Sequence, residues 1–150
     1  MSRGLVLLIV AAAAASAQAA PSACYSALDD ANRAVSNTAE SACSSLFTAD
    51  IIAKYNANKN CSFFAVPYDV AACDPIIANI NKCALKAVKL LKANNTFDDA
   101  AFKATTLKNK CSADAKFKAA YPTCKNSTMK YLNLFRLFQC LMNAVSPWNR

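Results

Sequence analysis

The side chains here that can do chemistry in a group are eight cysteines: Cys24, Cys43, Cys61, Cys73, Cys83, Cys111, Cys124 and Cys140. In an oxidising compartment an even set of this kind pairs into disulfides, four in this case. Eight cysteines allow 105 pairings, and the spacing alone does not choose among them. A thiolate metal site needs close pairs such as C-x2-C. The nearest two here, Cys73 and Cys83, are ten positions apart, so no metal is expected.

Other chemistry is limited by what the chain lacks. It has no histidine, and its single glycine is Gly4. Without histidine there is no Ser-His or Cys-His nucleophile pair and no imidazole ligand. Without glycine in the body of the chain there is no phosphate-cradling loop, no dinucleotide fingerprint and no nucleophile elbow. Two acidic pairs remain, Asp29-Asp30 and Asp98-Asp99. Adjacent residues on a helix point about 100° apart, so neither pair converges on one substrate atom. First-turn charge and solvation account for them. Serines and lysines abound, but no local motif joins them for catalysis. The expectation is a non-enzymatic protein without a cofactor.

Residues 1–19 read as a secretory leader. Arg3 supplies the positive end, Leu5 to Ala15 the apolar stretch, and Ala17-Gln18-Ala19 a small-x-small cleavage site. The apolar stretch is short for a span of about 20 residues. The mature domain would then be residues 20–150, secreted and extracellular. Three N-x-S/T sequons agree with export and give glycosylation candidates at Asn60, Asn94 and Asn126. Asn60 is the weakest of these, since a bridged Cys61 would crowd it.

These residues must be carried by helices. Tight hairpins want glycine turns, which the chain does not have, whereas alanine, lysine and leucine are good helix formers. The reading is an all-α, single-domain, disulfide-stapled bundle of about five to seven helices. Cys24, Leu28, Ala31 and Val35 recur at helical spacing from Ser22 onward, and Asn37 with Glu40 marks a restart that runs to Phe47. A short helix spans 48–55. Residues 56–72 read as irregular, with Phe63, Phe64, Val66 and Tyr68 covering one end of the core. The clearest helix is 75–93, capped by Asp74 with Pro75 at its first position. Its apolar arc includes Ile76, Ile77, Ile80, Cys83, Ala84, Val88 and Leu91, and Leu85 falls among the lysines. Further helices run from Thr96 or Phe97 to about Lys110, from Ser112 to just before Pro122, and over 128–145. Asparagines, notably Asn56, Asn58, Asn94 and Asn95, stand where glycine would end a helix.

The chain carries a net charge of +8, unevenly spread. Residues 82–130 hold eleven lysines against three aspartates. Lys82, Lys86, Lys89 and Lys92 would form one basic face. The excess is lysine, not the arginine forks and interleaved aromatics of nucleic-acid readers, and nucleic acid is not expected as a partner.

Two functions fit. The first is a carrier of a small hydrophobic ligand (a lipid, sterol or semiochemical-like molecule) held between helices. Its pocket candidates are Ile80, Val88, Leu91, Phe135, Phe138 and Met142, at the meeting of helix 75–93 with the last helix. The alternative is a surface-recognition protein (an effector, toxin or cytokine-like signal) whose lysine face binds an anionic protein, glycan or lipid surface. The first is preferred for the surplus of aromatic and long aliphatic side chains.

Overall fold

A computed structural model describes residues 20–62 and 65–148. The leader, and Phe63 and Phe64 with their expected role at the end of the core, lie outside the described residues. The chain forms the expected disulfide-stapled all-α bundle, with seven helices among the described residues. They are α1 (Ala23–Cys43), α2 (Ala49–Asn56), α3 (Val70–Cys73), α4 (Ala78–Ala87), α5 (Asp99–Ala101), α6 (Ala115–Thr128) and α7 (Leu134–Val145). No helix among the described residues is long and apolar enough to cross a membrane.

The centre of the bundle is α1 against α4 and α7, with α6 packed against α7. The buried stripe of α1 is Cys24, Ala27, Leu28, Ala31, Val35, Ala39 and Cys43, mostly small residues that let its partners approach closely. The stripe continues at four-residue steps past Asn37, so the expected restart there does not occur. Polar side chains nearby bond back to the helix: Ser36 Oγ donates to the Asn32 carbonyl and Thr38 Oγ1 to that of Ala34. Phe102 fills the middle, its ring 5.5 Å from those of Phe97 and Phe138 and 6.2 Å from Tyr121.

Four disulfides tie this core: Cys24–Cys111, Cys43–Cys83, Cys61–Cys73 and Cys124–Cys140. The first joins the start of α1 to the segment before α6 across 87 positions.

Several helix ends differ from expectation, each for a local reason. Helix 75–93 shortens to α4. Asp74 does not cap it, because its buried carboxylate is held by Tyr68 and Asn133. At the other end Lys89 takes a left-handed conformation (φ 58°). Leu90 N–H bonds to the Leu85 carbonyl and Lys89 N–H to that of Lys86. This is the helix-ending pattern in which glycine is usual. The residues on the buried side of α4 are Ile80, Asn81, Ala84 and Leu85, so Leu85 is wholly buried (0% exposed) and not among the lysines. Of the asparagines expected at helix ends, only Asn95 is left-handed; Lys89, Lys108, Asn109 and Leu132 take the other such positions.

The helix expected from Thr96 begins instead at Asp99, with Asp98 capping it through Ala101 N–H. It continues as a wide π-turn over Phe102–Thr106. Helix α6 passes through Pro122 instead of ending before it. Pro122 and Lys118 are both exposed, so the carbonyl that loses its donor lies on the solvent side. Buried Tyr121 and Cys124 hold the two halves in line. The last helix begins at Leu134, not 128, because Leu132 is left-handed and Asn133 caps the new helix through Arg136 N–H.

Candidate ligand-binding groove

Helix α2 is the element that shapes the site. Thr48 caps it by accepting from Ile51 N–H, and Phe47 and Ile52 occupy the positions of a hydrophobic staple. No residue of α2 is buried. Its Asp50–Lys54 pair, 2.8 Å apart, is exposed and contributes little. Disulfides flank it on both sides, at Cys43 and Cys61. Between α2 and the body of the bundle lies a hollow of about 230 Å³. Ile51 and Tyr55 line it from α2, Ile77 and Ile80 from the start of α4, and Phe135 from α7. No charged residue lines it. Phe47 (47% exposed) stands at its edge and, with Phe135, also borders a second hollow of about 430 Å³ beside Ala39 and Ser44.

A polar chain fastens this wall. The Tyr68 hydroxyl donates to Asp74 Oδ1 at 2.8 Å, and Tyr55 and Tyr68 hydroxyls are 3.3 Å apart. The Tyr68 proton is committed to Asp74, so Tyr55 is the donor to Tyr68. Asn133 Nδ2 donates to the same Asp74 oxygen at 2.7 Å. The Arg136 guanidinium lies 4.1 Å from the Tyr68 ring centre. Asp74 is only 1% exposed, and its donors make its burial tolerable. Asn133 thus caps α7 and holds a buried carboxylate. Asn133→Ala is expected to lower the free energy of unfolding by about 2–4 kcal/mol in a urea titration.

Burial raises the Tyr68 phenol far above its ordinary 10.0, and the Asp74 charge pushes the same way. Burial also raises Tyr55. A second raised phenol lies elsewhere. Burial lifts Tyr121, and the bond it donates to Asp99 adds to the shift. Burial alone would raise the Asp99 carboxyl, but the Tyr121 bond together with Lys103 and Lys125 brings it below its ordinary value. The phenols have a pH consequence. Unfolded, they ionise near 10.0; folded, they stay neutral well beyond it. The unfolded chain therefore loses protons first, and stability that is intact below pH 10 falls as pH rises past it. Phenolate absorbance in a pH titration should show two of the tyrosines silent until the fold is lost.

Of the sequence-derived pocket residues, Ile80 and Phe135 meet in the hollow. The other four do not. Val88 borders a different hollow with Ala31 and Lys89. Leu91 pairs with Phe97 in an isolated bridge, Phe138 is fully buried beside Phe102, and Met142 packs half-buried against the core. Phe47, Ile51, Ile52, Tyr55 and Ile77 were missed. Their signal was present: a short helix with apolar residues at 51, 52 and 55 that has too little apolar face to be core. The four lysines are all exposed but do not share one helix; Lys82 and Lys86 are on α4, Lys89 in its left-handed ending and Lys92 in the turn beyond. The acidic pairs separate as expected for solvation and capping. Asp29 pairs with Arg33, Asp98 caps α5, and Asp99 pairs with Lys103.

No family model, curated protein or solved structure matches this chain. The four disulfides place it in an oxidising, extracellular type of environment.

Proposed function

We propose that the chain is exported through its leader, trimmed after residue 19, and acts as a non-enzymatic carrier of a small, uncharged, apolar molecule. The observation that carries this reading is the hollow between α2, α4 and α7. Its lining is mostly aliphatic and aromatic; of its polar residues Tyr55 is engaged with Tyr68 and Asn133 with Asp74 and Arg136 N–H, and Asn56 adds one exposed, uncharged amide. A carboxylate entering it would meet no cation and would lose its hydration without compensation. A terpene, ester or alcohol loses far less. The volume, about 230 Å³, is below the roughly 300–1,000 Å³ of sites for drug-sized ligands. A longer chain would have to extend past Phe47 and Phe135 into the neighbouring hollow.

The test uses N-phenyl-1-naphthylamine, an uncharged apolar dye. Its fluorescence should rise on mixing with the protein at micromolar concentration. Medium-chain alcohols and esters should displace it better than fatty acids of the same length at neutral pH. No rise in fluorescence, or displacement by fatty acids alone, would remove this reading.

A second reading keeps one specific observation in its favour. Lys82, Lys86, Lys89 and Lys92 are exposed, and none has a carboxylate within ion-pair distance among the described residues. If they form a recognition surface, changing all four to glutamine should weaken retention on a heparin column and flatten its salt dependence. Unchanged elution would make this field a solvated surface only.

A further inference from the structure

Another hollow lies away from α2. It has a volume of about 460 Å³ and opens between the turn beyond α4 and the end of α6. Its walls are of two kinds. Phe97, Met129 and Leu132 are apolar, whereas Asn95 and Asn126 bring amides, Lys125 and Lys130 cations and Asp99 a carboxylate. That pairing suits a pyranose, which offers a C–H face to apolar side chains and hydroxyls to polar ones.

Two of the three sequons open onto this hollow, although they are far apart in the sequence. Asn126 lines it directly; Asn95 and Thr96, the second and third residues of the Asn94 sequon, line the other side. Asn94 and Asn126 are both exposed. The Asn94 side-chain oxygen accepts from Thr96 N–H at 3.2 Å and from Thr96 Oγ1 at 2.6 Å. Its amide nitrogen, the atom that takes a sugar, has no protein partner among the described residues. The turn is held in this form by Lys92 N–H to the Thr96 carbonyl and by left-handed Asn95. The third sequon differs. Asn60 is half-buried in a short turn, its carbonyl accepts from Asp69 N–H, and the adjoining Cys61 is fully buried in its bridge to Cys73.

We propose that Asn94 and Asn126 carry N-linked glycans, that Asn60 does not, and that the first N-acetylhexosamine on Asn126 lies in the hollow between the two sequons. This rests on the export reading, because the modification is added in the secretory pathway. It is independent of what the α2 groove binds. The hollow is then covered by the protein's own sugar and is closed to a soluble ligand.

The test is expression in a eukaryotic secretory host behind that host's leader, so that occupancy is read whatever the native leader does. Secretion with the native leader is measured in parallel and tests export alone. Intact mass should fall by two glycan chains on treatment with a peptide amidase that releases N-glycans, leaving aspartate at 94 and 126. Thr96→Ala and Asn126→Gln should each remove one chain, and Ser62→Ala none. Glycan on Asn60, or exported protein unmodified at 94 or 126, would overturn the assignment. For the seating, the glycans are trimmed to one N-acetylglucosamine each. Amide hydrogen exchange over residues 95–97 and 130–132 should then be several-fold slower than in the Asn126→Gln variant, which keeps Thr96 and the Asn94 glycan. Equal exchange would leave the Asn126 sugar outside the hollow and overturn that part.

Discussion

Replacing both Cys24 and Cys111 with alanine should lower the free energy of unfolding by about 4–5 kcal/mol. The bridge spans 87 positions, and both sulfurs belong to residues in the core cluster. In the chain-entropy view, the longer the closed loop, the more freedom the bridge removes from the unfolded chain. A thermal melt should show the midpoint falling by roughly 10–20 °C for a chain of this size. Removing Cys61–Cys73, separated by 12 positions, should cost only about 3 kcal/mol on the same basis. Its effect should also be local, because the segment it ties includes α3, which buries only Cys73. Equal losses from the two double variants would show that the bridges act on the folded state through packing and not on the unfolded chain.

The second large effect concerns the groove. Ile51→Trp should raise the dissociation constant for the naphthylamine dye at least about tenfold, or about 1.4 kcal/mol. Ile51 lines the hollow from a helix that buries none of its residues, so an indole there fills the hollow without entering the core. The free energy of unfolding should stay within about 0.5 kcal/mol of the parent. This separates it from a substitution at Ile80, which lines the same hollow but is 4% exposed and part of the core. Undiminished dye binding by Ile51→Trp would place the site elsewhere.

The fold was legible where local pattern and tertiary role agreed. The α1 stripe is a row of residues at steps of three and four, and it is the row that is buried. The short helix expected over 48–55 is α2, with Thr48 as its cap. Legibility failed where a distant partner took over a residue. Asp74 before Pro75 has the form of a helix start. Tyr68 and Asn133, the latter 59 positions away, hold its carboxylate, and the helix begins later. Leu132 has no local mark of a left-handed residue, yet it sets the start of α7. Pro122 reads as a stop, but exposure of its side of the helix and the anchorage of Tyr121 and Cys124 let the helix pass. For the groove, Ile80 and Phe135 could be found because they lie on two strongly amphipathic helices. The α2 wall could not. Its placement depends on the Cys43–Cys83 and Cys61–Cys73 pairings, and cysteine spacing does not decide among the 105 possible sets.

The position of α2 between two bridges has a consequence for how this protein can change over generations. The stretch from Cys43 to Cys61 is a cassette pinned at each end by covalent bonds, with its interior contributing almost nothing to the packed centre. Mutations there can accumulate without threatening folding. On the proposed carrier reading, selectivity for the ligand is therefore free to drift quickly, while the scaffold beneath stays the same.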